Sequence, residues 1–277
     1  MDWSKTKSIF IVVFLILNVF LYYHYLRVYN ESQRVELLSE KKIESILNEE
    51  NITYKNLPST INEAPYILGT VKTYALNELP PQQFVSYKLV TESHLQAMIS
   101  KPISLGTDIT TVKLNDFLQQ FVYEGSQFKL WEIDEEMRTA TFFQQVNEHT
   151  LYYNMSGYVK IHWNVDNEIF MYEQSMLEKV EPKEPKKKII APLQIIDELY
   201  TENLLKTGAE IVDIKLGYSS LLQITQTQLF TPTWEVRVKT DGEEQTFFVN
   251  AVDPKVIEFN EQPLQEEEEL GENNNAI

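Results

Sequence analysis

The pattern of apolar and polar positions divides the chain into one unbroken apolar run, a series of alternating stretches and a polar end. The run IFIVVFLILNVFLYYHYL covers Ile9 to Leu26. Its interior holds no Gly, no Pro and no charge. At a rise of 1.5 Å per residue, about 18 residues reach roughly 27 Å, enough for the hydrocarbon layer of a bilayer. Tyr22, Tyr23 and Tyr25 stand at the far end and Trp3 at the near end, where amphipathic rings favour an interface. No small-residue cleavage site follows, so the pattern predicts an uncleaved transmembrane helix over residues 9–26. Lys5 and Lys7 precede it, while Arg27 and Arg34 follow; this gives a small bias toward a cytoplasmic N-terminus, residues 1–8. No second such run occurs, so everything after Leu26 is expected on one side of the membrane.

Within the run, Phe10, Phe14, Leu17 and Leu21 recur at 4-3-4 spacing and share one helix face. Asn18 is the one strongly polar side chain there. Its amide has two readings: an interhelical hydrogen bond in lipid, or a bond to its own helix backbone. These five residues are the candidate partner-binding positions.

The rest predicts an α+β body built as two helix-plus-antiparallel-sheet subdomains. Residues 31–48 carry an imperfect apolar stripe (Val35, Leu38, Ile43, Ile46 and Leu47) and predict a membrane-proximal helix. Alternating or β-rich stretches follow at 66–76 and 84–90, then a short helix at 112–123. Strands are expected at 128–133, 139–146, 157–164 and 168–177, divided by acidic and Asn-rich turns. These fill a first subdomain within residues 27–181. VEPKEPKKK at 180–188, with two prolines and alternating charge, reads as a linker, bounded at 182–190. The second subdomain, 191–261, opens on a helix started by Pro192 and closed by Gly208. Strands are expected at 210–216, 223–229, 233–239 and 245–250, with Asp241-Gly242 as a tight turn, and a last short strand at 256–259. Residues 262–277 read as a disordered acidic tail.

Charge narrows the function. The formal net charge is −17, which opposes binding to nucleic acid. There is no cysteine, so disulfides, thiolate catalysis and Cys-based metal sites are excluded. His24, His94, His149 and His162 form no i, i+3 or i, i+4 pair, and 8 glycines leave no phosphate-binding loop. GYSSL at 217–221 lacks the second glycine of a nucleophile elbow. The acidic runs at 134–136 and 266–269 read as a hairpin turn and a solvated tail. No catalytic, cofactor or metal site is therefore assigned, and the chain is not expected to be an enzyme. A binding module for a wall polymer, peptide or ion is the alternative, with Tyr152, Tyr153, Tyr158 and Trp163 as sheet-face contacts if they are exposed.

The opening MDWSKTKSIFIVVFLILNVFLYY, above all M-D-W-S-K-T-K at residues 1–7 running into an aromatic-rich helix, closely resembles the N-terminus of YycI (WalI) proteins. The chain length, the anchor position and the W-E-V-x-V strand at Trp234–Val238 agree more loosely. The acidic tail from about Leu264 is not part of that resemblance. The resemblance implies a non-enzymatic regulator in the cell membrane of a Gram-positive bacterium, with its N-terminus inside and its body outside. It implies action with the sister protein YycH on the sensor histidine kinase YycG (WalK) of the YycF/YycG (WalR/WalK) system, which governs cell-wall homeostasis. Contact would run largely through transmembrane helices and would restrain the kinase. The family has no catalytic motif to carry over.

Overall fold

A computed structural model describes residues 7, 10–23, 42–55, 57–58, 61–81, 83–220 and 226–259. Residues 10–23 are helical, as are residues 42–49, here α1. The chain then runs through β1 (Thr53–Tyr54), β2 (Glu63–Val71), β3 (Val85–Leu89), β4 (Leu95–Ser104), α2 (Thr111–Phe121) and a 3-10 turn (Gly125–Gln127). β5 (Phe128–Asp134), β6 (Thr139–Val146), β7 (His149–Tyr152), β8 (Tyr158–Trp163), β9 (Glu168–Ser175) and β10 (Leu177–Lys188) follow. The last elements are α3 (Pro192–Thr201), β11 (Glu210–Ser219), β12 (Thr227–Thr240), β13 (Glu243–Asn250) and β14 (Val256–Ile257). The α+β class stands, with a largely antiparallel sheet. The ends of the long apolar run, most of 31–48 and the tail from 260 lie outside the described residues.

Two packing units hang on a continuous strand path, β10-β2-β12-β11-β7-β6-β8-β9-β4-β3. In one unit α2 covers the antiparallel strands β4, β6, β8 and β9. Leu114, Phe117 and Leu118 of the helix pack with Leu95, Phe142, Val159, Ile161 and Tyr172, all nearly inaccessible. Thr110 caps this helix by accepting from the Lys113 N–H, the preferred role of a threonine at that position. In the other unit α3 lays Leu193, Ile195, Ile196 and Leu199 on Trp234, Val236 and Val249.

Three elements differ from the sequence expectation. First, Ile43 and Leu47 of α1 join the core of the α3 unit, not that of the α2 unit. Backbone bonds hold them there: Thr53 N–H donates to Ala209 O (3.0 Å) and Gly208 N–H to Glu50 O (2.9 Å). Second, the stretch read as a linker is strand β10, paired antiparallel with β2 from Leu177↔Val71 to Lys188↔Glu63. Pro182 and Pro185 fit because β10 is the edge strand, where a missing N–H can face solvent. Third, the expected strands at 223–229 and 233–239 merge into the single strand β12, whose residues 227–230 pair with β2 and 233–240 with β13. Pro232 stands at that change of partner, where a missing donor is tolerated.

The units meet where β2 and β10 pair and at the short bridge β7. Gln144, 1% exposed, acts there as a side-chain peptide: its Oε1 accepts from Leu177 N–H (2.8 Å) and its Nε2 donates to Leu177 O (2.9 Å).

Candidate functional site

The five positions singled out in the apolar run fall on the helix at residues 10–23. Every large apolar side chain from Phe10 to Leu21 is at least half exposed, with Phe10 at 71%, Phe14 at 58%, Leu17 at 50% and Leu21 at 56%. Asn18 Nδ2 donates to Phe14 O at 2.8 Å, so the amide has a partner on its own helix. Among the described residues, no helix is long and apolar enough to cross a membrane.

A second arrangement was not legible in the sequence. At the junction of the units, Trp131 of β5, Phe143 of β6, Tyr152 of β7, Tyr153, Phe248 of β13 and Phe259 form one aromatic wall. Trp131 lies 5.7 Å from Phe143, 5.6 Å from Tyr153 and 5.9 Å from Phe248, and Phe259 stacks on Tyr153 at 4.6 Å. Two adjoining grooves, of about 810 and 650 Å³, share Tyr153 and Phe248. Beside the smaller one lies a charge network set by strand register. Asp213 is opposite Arg237 and Lys215 is opposite Glu235 across β11 and β12. Arg237 meets Asp213 at 2.7 Å and Glu235 at 3.2 Å, and Lys215 also pairs with Asp213. The Tyr152 hydroxyl donates to Glu235 at 2.9 Å. Burial first, and then the Glu235 carboxylate, hold that phenol well above its ordinary value.

Asp213 titrates the other way. Burial alone would raise its carboxyl, but Lys215 and Arg237 outweigh that and hold it below the usual range. A depressed folded-state value stabilises the fold above the unfolded carboxylate range, near about 4, and that stability is lost as pH falls through the folded value. Asp213→Asn is therefore expected to flatten the acid limb of the stability curve. Denaturant midpoints measured from neutral pH downward check this; identical acid limbs in the two proteins would refute it.

Three of the four tyrosine and tryptophan contacts expected on an open sheet face are core: Tyr152, Tyr158 and Trp163 are 1%, 4% and 3% exposed. Trp163 lies on the face of β8 that packs with α2, Tyr158 lies on the other face against His94, and Tyr152 is enclosed by Trp131 and Phe248; only Tyr153 is part-exposed, within the aromatic wall. The histidines are dispersed. His94 Nδ1 is 3.3 Å from Ser175 Oγ, His149 Nδ1 is 2.8 Å from Leu216 O, and His162 lies 3.8 Å from Glu173. Among the described residues no group of three or more metal-ligating side chains occurs. Ser219 of GYSSL is buried within β11 and shares a 2.7 Å hydroxyl contact with Thr233, so it is part of a strand ladder and not an exposed elbow. Asp134 Oδ1 accepts from Met137 N–H at 2.8 Å, which makes the first acidic run a hairpin turn.

A sequence profile of the family described as YycI protein matches residues 31–252. The chain belongs to the YycI family. YycI is a regulatory family and not an enzyme family. Curated proteins gave no match. Among solved structures, an uncharacterized protein from Eubacterium rectale is 10% identical, with TM-score 0.42, covering 76% of this chain and 91% of its own. The YpeB C-terminal domain of Bacillus megaterium is 12% identical, with TM-score 0.40, covering 70% and 90%. YycH from Bacillus subtilis is 12% identical, with TM-score 0.37, covering 69% of this chain and 51% of that one.

Proposed function

We propose that this YycI-family chain is a non-enzymatic, membrane-anchored regulator that acts with YycH to restrain the sensor kinase YycG (WalK). The observation that carries this is the helix at residues 10–23, apolar and exposed on all sides. Such a helix is stable only inside lipid or among other helices. The bulky ridge of Phe10, Phe14, Leu17 and Leu21 then faces the kinase helices, with Asn18 beside it. Lys5 and Lys7 favour a cytoplasmic N-terminus, which puts the body outside.

A bound regulator shifts a kinase only by preferring one of its states. A preference of about 1–3 kcal/mol changes the active population roughly 5- to 150-fold. Photocrosslinkers placed at Phe14 and Leu21 of the full chain in cells are expected to capture the kinase. Replacing residues 9–26 by an unrelated transmembrane sequence is expected to abolish regulation while membrane attachment persists. Capture through the outer body alone, with regulation intact after the swap, would refute the reading.

A further inference from the structure

We infer that the lysine-rich edge of β10 is a docking strip for this chain's own acidic segment Glu266–Glu269. β10 ends the strand path, so one side of its backbone is open. Residues 181–188 are all exposed, and Lys183, Lys186, Lys187 and Lys188 lie on them. The ion pairs among the described residues engage Lys55, Lys72, Lys179, Lys215 and Lys255, and not these four. In a chain with 41 acidic and 24 basic side chains, four lysines against Glu181 and Glu184 leave this strip locally basic, so that it attracts carboxylates.

Three observations commit the strip to that occupant. Four consecutive carboxylates face a strip on which four lysines outnumber Glu181 and Glu184, three of them consecutive at residues 186–188. The C-terminal end of β10 is tied to the segment that leads toward the acidic run, through Ile190 N–H donating to Ala251 O at 2.8 Å. The chain is then fixed at Phe259 by Tyr153 and Phe248, at 4.6 and 5.0 Å. From Phe259 an extended chain reaches Glu266 within roughly 24 Å and Glu269 within roughly 34 Å. A segment tethered this closely is present at an effective concentration on the order of millimolar, so individually weak surface pairs act together. The consequence is a basic edge masked by the chain that carries it, open to an external polyanion only by exchange.

The test is zero-length carbodiimide crosslinking of the full chain in detergent micelles. The sample is an equal mixture of isotope-labelled and unlabelled protein, with peptides read by mass spectrometry. Amides between Glu266–Glu269 and Lys183–Lys188 are expected within single chains. Their yield should fall at least about fivefold near 1 M salt, where screening acts over about 3 Å. Glu266→Gln through Glu269→Gln, which leaves the folded body untouched, should remove them; Lys183→Gln with Lys186→Gln, Lys187→Gln and Lys188→Gln should do the same. Links that are mostly between differently labelled chains would make the occupant a second copy and overturn the inference. So would an equal yield to lysines elsewhere, or no link from these glutamates.

Discussion

Truncating Trp234 to alanine is expected to lower the unfolding free energy by about 4 kcal/mol, the range for a fully buried aromatic side chain. Trp234 is 0% exposed and lies under Ile195, Ile196 and Leu199 of α3. Its indole Nε1 donates to Ile190 O at 2.9 Å, which fixes the segment joining β10 to α3. Removal leaves a cavity and also an acceptor without its donor, a further loss of about 1 kcal/mol. For a body of this size, roughly 2–4 °C of melting temperature accompany each kcal/mol, so the midpoint should drop by about 10 °C or more. Trp234→Phe keeps most of the ring and should lose less than half as much. Denaturant unfolding followed by circular dichroism reads both variants. A loss under about 1 kcal/mol for the alanine variant would mean that the α3 unit is not held by this cluster.

Trp234 also shows what the sequence made legible. It belongs to a W-E-V-x-V stretch whose alternation announces a half-buried strand, and the structure places it in β12. β6 was equally plain, and α2 was read from its 3.6-residue period to within two residues at either end. β4 was not foreseen, because Lys101-Pro102 interrupts its alternation where its register with β9 also shifts. β10 was misread because prolines and lysines signal linker by composition, although on an edge strand the same residues are compatible with pairing on the inner side. The aromatic wall had no local signature at all. Trp131 and Phe143 meet through the β5–β6 pairing and Phe248 and Phe259 through β13–β14, and the bridge through β7 joins the two pairs around Tyr152 and Tyr153. The ridge on the amino-terminal helix is the opposite case: its period was readable, and the structure leaves Phe10, Phe14, Leu17 and Leu21 exposed.

That bridge has no room for added atoms, and Gly217→Val is expected to cost roughly 3 kcal/mol or more. Gly217 sits in β11 just before Tyr218 and Ser219, which pair in parallel with Leu151 and Tyr152 of β7. A Cβ at residue 217 would lie 2.3 Å from Tyr152 Cε2 and 2.6 Å from both Tyr152 Cζ and Thr150 O. The tyrosine has little room to yield. It is 1% exposed, its hydroxyl is bonded to Glu235, and its ring contacts Trp131 and Phe248 at 5.9 and 5.0 Å. The Thr150 carbonyl is backbone and shifts only with the strand. A valine therefore separates β7 from β11 and loosens the connection between the two packing units, whereas alanine should give a smaller loss. Pairing Gly217→Ala with Tyr152→Ala separates this cause from a general effect of β-branching. The ring clash vanishes in the double variant, so its stability should exceed the additive expectation by at least about 1 kcal/mol. Additivity within about 0.5 kcal/mol would show that the ring is not what excludes a side chain at this position.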